Sequence, residues 1–102
     1  MTGITFHEAA GVFMVKTIAP KGTRLGQHRH EKDHLSFLAS GVARVSVEGD
    51  GDRWLTGPCE IVVQGGKTHE VEAVSDIVWL CLWGSDEGMQ EDARESLKLL
   101  EA

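Results

Sequence analysis

The chain has 102 residues, 41% apolar and 25% charged, which suits one domain with one modest core and gives no sign of wholesale disorder. Sixteen acidic residues against ten basic ones give a formal charge of -6, and without a Lys/Arg run or basic stripe the chain is poorly suited to nucleic acid. The N-terminal MTGITFHEAAGVF has no charged region followed by an apolar one, and no apolar run approaches the ~20 residues that cross a bilayer, so a soluble cytoplasmic protein is expected.

Short stretches of strand character follow one another from the start, separated by glycine-rich punctuation. ITFHEA (4–9) and GVFMVKTI (11–18) are rich in β-branched and aromatic residues, and APKGT (19–23) stops the second with Pro20 and Gly22. HLSFLAS (34–40) alternates, with Leu35, Phe37 and Ala39 on one face and His34, Ser36, Leu38 and Ser40 on the other. Gly41 marks a turn into VARVSVEG, where Ala43, Val45 and Val47 alternate with Arg44, Ser46 and Glu48. GDGD (49–52) suits a hairpin turn leading into RWLTG. CEIVVQ, HEVEAV and DIVWLCLW complete the series, so roughly eight to ten strands fill the chain up to Trp83, a spacing that predicts a sandwich or small barrel.

From Ser85 the period changes. Met89, Ala93, Leu97 and Leu100 recur at helical spacing, with Glu91, Asp92, Arg94, Glu95 and Lys98 opposite, which predicts a C-terminal helix over about 86–101 that covers an edge or end of the barrel. Ser85 or Asp86 suits its cap, and Asp86 and Glu87 its positive end. One domain is expected over 1–102, with the barrel at about 3–83.

Three of the five histidines fall within GQHRHEKDHLSF, at His28, His30 and His34. His28 and His30 are two apart, so in an extended segment they project from one face, the spacing that offers two ligands to one ion. His34 opens the next strand after a polar turn, and His69 follows the turn QGGKT, sharing a face with Val71 and Ala73. A lone histidine is usually a surface residue or a satisfied core residue, and His7 is read that way. Three plus one in a β context are harder to dismiss.

GTRLGQHRHEKDHLSFLASG (22–41) resembles the first motif of the cupin family, G-x5-H-x-H-x3-4-E-x6-G. Gly22, His28, His30 and Gly41 fall at the family spacing, and His34 stands where the family places glutamate. GPCEIVVQGGKTHEVEA (57–73) resembles the second motif, G-x5-7-P-x-G-x2-H-x3-N. Gly57, Gly66 and His69 match, whereas Gln64 replaces the proline and Ala73 the asparagine. The two motifs and the segment between them cover about half of the chain.

The resemblance implies an all-β cupin, a double-stranded β-helix or jelly-roll barrel, with one divalent transition metal ion inside its mouth on His28, His30, His34 and His69. Four neutral imidazoles would leave the ion its full positive charge, a strong Lewis acid that attracts carboxylates, enolates or hydroxide. Imidazole suits Fe, Zn, Ni and Cu, and an octahedral site also accepts Mn or Co, so the metal is left open.

Ser36 and Leu38, on the His34 face, and Trp79 and Cys81 are the candidate pocket residues. Trp79, Cys81 and Trp83 alternate with Val78, Leu80 and Leu82, so this strand is apolar on both faces. One face is expected to fill the barrel and the other to meet a second sheet or a partner subunit, and a homodimer is expected. Arg44, Arg53 and Trp54 are candidates to bind an anionic or aromatic substrate, although a solvated surface suits both arginines better, and Glu70 and Glu72 lie opposite His69. With no secretory signal, Cys59 and Cys81 read as small buried residues and not as a disulfide, a reactive thiol being the alternative.

Two function classes stand side by side. One is a small metalloenzyme acting on a small oxygen-containing, anionic substrate, with dioxygenase-like oxidation first and Lewis-acid isomerisation or elimination second. The other is a non-catalytic cupin module that holds a small ligand or a metal ion.

Overall fold

The computed structural model describes residues 2–27, 33–84 and 97–100, with the backbone course alone for Gln27 and 97–100. The strands are β1 (Gly3–Ala9), β2 (Val12–Ala19), β3 (Arg24–Gln27), β4 (His34–Ser40), β5 (Val42–Val47), β6 (Gly51–Thr56), β7 (Cys59–Val63), β8 (His69–Ala73), β9 (Ile77–Gly84) and β10 (Leu97–Leu100).

The pairing is nested. β5 pairs with β6, β4 with β7, β3 with β8 and β2 with β9, all antiparallel. This is one long hairpin whose tip is the turn after Val47, closed by a 3.0 Å bond from the Asp50 N–H to the Val47 carbonyl. Successive pairs lie on opposite sheets, because one sheet has the order β1-β2-β9-β4-β7 and the other β10-β3-β8-β5-β6. The hairpin is therefore wound on itself, and the β4·β9 and β5·β8 pairings knit its coils together. That winding is the jelly roll the strand series predicts.

Alternation supplies the core. On β9, Ile77, Trp79, Cys81 and Trp83 are buried while Val78, Leu80 and Leu82 are half-buried, so the bulky residues of this strand fill the interior. They meet Phe13, Val15 and Leu38 of their own sheet and Leu25, Val45, Leu55 and Val71 of the other. Close approach of the backbone sets two motif glycines. At Gly41, with φ +92°, an added Cβ would lie 2.1 Å from the Asp76 carbonyl oxygen, and at Gly57 it would lie 2.9 Å from the Leu38 carbonyl oxygen. The Gly57 N–H donates to the Gly41 carbonyl at 2.8 Å, so the two turns brace each other.

The C-terminal helix expected over 86–101 is corrected at its end. Leu97–Leu100 form β10, antiparallel to β3 in the register Leu97↔Gln27 to Leu100↔Arg24, and the remainder of that span, 85–96, lies outside the described residues. Without β10 the far side of β3 would be an open edge, and its backbone groups outweigh the helical period that Leu97 and Leu100 helped to suggest.

The two sheets turn different faces outward. On the β3-β8-β5-β6 face, Arg24 pairs with Glu70 at 2.7 Å, and Arg44 pairs with Glu72 and, at 3.7 Å, with Asp52. These are the surface places expected for Glu70, Glu72 and Arg44. The outer face of the other sheet carries aliphatic and aromatic side chains, with Ile18 49%, Leu35 44% and Val62 58% exposed. His7 lies on exposed β1, its Nε2 2.9 Å from the Thr5 hydroxyl.

Candidate metal centre

Register collects the histidine-bearing strand ends at one end of the barrel. His34 opens β4 opposite Val63, the last residue of β7, and His69 opens β8 between Val47, the last of β5, and Gln27, the last of β3. Both imidazoles face inward as the alternation predicts, His34 with Ser36 and Leu38 and His69 with Val71 and Ala73. They are 6% and 3% exposed, depths at which a side chain with two polar nitrogens is costly unless it is used. His28 and His30 lie outside the described residues. The segment that carries them starts after Gln27, the register partner of His69, and ends before Asp33 and His34. Among the described residues no group of three or more His, Cys, Asp or Glu is placed to hold a metal ion.

The ring of His69 is oriented by its own turn. Its Nδ1 lies 3.1 Å from the Lys67 carbonyl oxygen, which only accepts, so Nδ1 carries the proton and the Nε2 lone pair is left for a Lewis acid. Desolvation by burial, partly offset by that hydrogen bond, holds the imidazole below its ordinary pKa and favours the neutral ring that binds metal. The turn is clamped on two sides. The Gly65 N–H donates to Asp33 Oδ1 at 2.8 Å, tying it to the entry of β4, and the Thr68 N–H donates to Glu48 Oε1 at 3.1 Å while the Glu48 N–H returns a bond to the Thr68 carbonyl. Lys67 Nζ reaches Asp50 Oδ2 at 2.5 Å. The residues that precede His34 and His69 are thus fastened to each other across the mouth.

The His34 ring stacks on Trp83, with ring centroids 4.4 Å apart and planes 27° from parallel. Beside them opens an apolar groove of about 470 Å³, lined by Val12, Asp33, Leu35, Leu82 and Gly84 as well as His34 and Trp83. His69 lines a smaller hollow of about 130 Å³ with Asp50, Arg53, Ile61 and Gln64. Arg53 is exposed, as expected, but it pairs in register with buried Val45 and lies two residues from buried Leu55, so it stands on the Leu55 side of β6, at the rim of this hollow.

The pocket residues expected further along the strands belong to the packed interior. Ser36, Leu38 and Trp79 are 0% exposed and Cys81 1%. The Ser36 hydroxyl lies 3.5 Å from the Cys81 sulfur, and burial pushes the Cys81 thiol up to about 11. No disulfide joins the two cysteines, and Cys59 is half-buried.

No protein-family model matches the sequence, and no curated protein does. Solved structures do match. A cupin-family protein described as a double-stranded β-helix, from Methanocaldococcus jannaschii, superimposes with a TM-score of 0.71 at 8% identity over 82% of this chain and 80% of its own. The chain has the cupin fold. Two further cupin-fold neighbours carry names: KdgF from Halomonas sp., at 20% identity and TM-score 0.68 over 84% of this chain and 83% of that one, and ectoine synthase from P. lautus, at 18% identity and TM-score 0.67 over 90% and 67%. Identities this low carry the fold alone. Within the cupin fold, the strand ends that hold His34 and His69 form the rim of the barrel mouth.

Proposed function

We propose that this cupin-fold protein is a small metalloenzyme that holds one divalent transition metal ion on His28, His30, His34 and His69 and acts on a small anionic, oxygen-containing substrate. The single observation that carries the reading is His69: a buried neutral imidazole with its Nδ1 proton committed to a carbonyl and its Nε2 lone pair free, at the mouth where His34 also turns inward. Support comes also from the spacing of His28 and His30, which follow Gln27, the register partner of His69, in the sequence.

When bound, the ion would supply a Lewis acid for substrate oxygens and a centre for dioxygen activation. The chain's own residues bind and orient. Arg53, for which the described residues provide no ion-pair partner, places a guanidinium in the His69 hollow, where it suits a carboxylate or enolate oxygen of the substrate. Asp50, in the same hollow, is occupied by Lys67 and does not cancel that charge. The apolar groove beside His34 and Trp83 offers a surface at the rim for the substrate's carbon skeleton.

Oxidation by dioxygen is the first reaction class. A Lewis-acid reaction without oxygen is second, favoured by the uncompensated charge of a four-imidazole site. Protein purified without a histidine tag and loaded with iron or manganese should consume oxygen when offered diketone, thiol or phenolic substrates, and Arg53→Gln should raise KM for the anionic ones by about tenfold. Turnover without oxygen uptake would select the Lewis-acid class. Metal binding with no turnover in either assay would leave a binding module and contradict the enzyme.

A further inference from the structure

We infer that Trp83 is a positioning residue for the metal centre: its indole face fixes the plane of the His34 imidazole and stabilises the positive charge which that ring takes up on binding an ion. The inference rests on the proposed four-histidine site and deepens it. His34 and His69 are held in different ways. His69 is oriented through its Nδ1 by the Lys67 carbonyl, whereas His34 lies against a ring, with centroids 4.4 Å apart and planes 27° from parallel. An imidazole carries its N–H and its lone pair in the ring plane, so a neighbour stacked on its face restrains the ring without covering either nitrogen.

The strand order holds the indole in place. Trp83 pairs with Phe13 of β2 on one side, and on the other β4 runs beside β9 in the register Leu35↔Leu82, which sets His34 next to Trp83. Trp83 is 5% exposed and Phe13 1%, with ring centroids 6.5 Å apart, and Phe6 stacks on Phe13 in turn at 6.2 Å. On the side away from β4 the indole is thus braced by two more rings, and it cannot turn from His34 without displacing them. Packing alone does not call for this pairing. Trp79, fully buried on the same strand, pairs in register with aliphatic Leu38, while Trp83 meets a ring whose charge changes.

The face of an indole carries negative potential and attracts a cation within about 6 Å of its centroid, most strongly where water is excluded. A neutral imidazole gains little from that potential. An imidazole that has donated its lone pair to a divalent ion is partly cationic and gains more, so the contact favours the ion-bound state and raises affinity without supplying a ligand atom. Indole is the best aromatic partner for a cation, benzene is weaker, and an aliphatic side chain offers no such face.

Two measurements test this. In the metal-free protein, NMR should show the His34 ring protons shifted upfield by the indole, a shift lost in Trp83→Leu. Calorimetric titration with cobalt(II) should give a dissociation constant raised about threefold in Trp83→Phe and about tenfold in Trp83→Leu. Replacing tryptophan by fluorinated tryptophan during expression draws charge from the indole face at nearly constant volume. Cobalt binding should weaken about threefold in the fluorinated parent and stay unchanged in fluorinated Trp83→Phe, because the other two tryptophans stand elsewhere, Trp54 exposed on β6 and Trp79 in the packed interior. Circular dichroism confirms folding, and the fluorinated parent carries the test should a variant fail to fold. An absent upfield shift, or a cobalt affinity indifferent to Trp83→Leu or to fluorination, would overturn the inference and leave the four-histidine site standing. A parent that binds no cobalt would overturn both.

Discussion

Cys81 and Cys59 have the same thiol and opposite surroundings. Cys81 is 1% exposed beside Ser36 and Trp79, and burial raises its pKa to about 11. In the unfolded chain a thiol ionises near ~8.5, so the native state holds a proton there that the unfolded state has lost. Stability tied to this group is complete below that value and falls as the pH rises towards 11, by on the order of 3 kcal/mol in all. Urea melts from pH 8 to pH 11 should therefore show a decline that Cys81→Ser shifts, and native protein treated with iodoacetamide near neutral pH should be labelled at half-buried Cys59 and spared at Cys81. Rapid labelling of Cys81 would show that the interior beneath the mouth opens. The same dryness acts on His69, where it favours the uncharged ring, and there the Lys67 carbonyl turns a buried imidazole into a directed donor.

At the level of elements, the strands that carry the site are the ones whose alternation is cleanest. HLSFLAS predicts β4 residue for residue, and the inward positions of His34 and His69 follow from a period of two. β3 is not legible as a strand, because RLGQ has one inward apolar residue, Leu25, and no pattern to repeat. β10 is misread because Leu97 and Leu100 fit a helical stripe as well as a strand, and only the unfilled edge of β3 decides between them. Arg53 is solvated as its charge suggests, and only the register with β5 shows that it stands on the Leu55 side of β6 at the rim. The motif glycines are legible as letters but not as mechanics. Gly41 brings the β4–β5 turn against the Asp76 carbonyl, so Gly41→Ala should lower stability by at least about 2 kcal/mol, from positive φ and backbone overlap together. Chemical melts measure this directly, and a loss under about 0.5 kcal/mol would mean that the β9 approach relaxes at no cost.

For the whole molecule, the nested hairpin explains why one end becomes a site. Winding β2–β5 against β6–β9 brings the starts of β4 and β8 and the end of β3 to the same rim, so His34 and His69, from distant stretches of sequence, share one mouth. The winding also leaves two outward faces, one ion-paired and one apolar. Among the described residues no helix is long and apolar enough to cross a membrane. The proposed four-histidine ion site is measured by cobalt(II) titration of tag-free protein, followed by visible absorption and calorimetry. One ion per chain is expected, with affinity at least about tenfold weaker in His34→Ala and in His69→Ala. No saturable binding in the parent, or equal affinity in parent and variants, would contradict the four-histidine site.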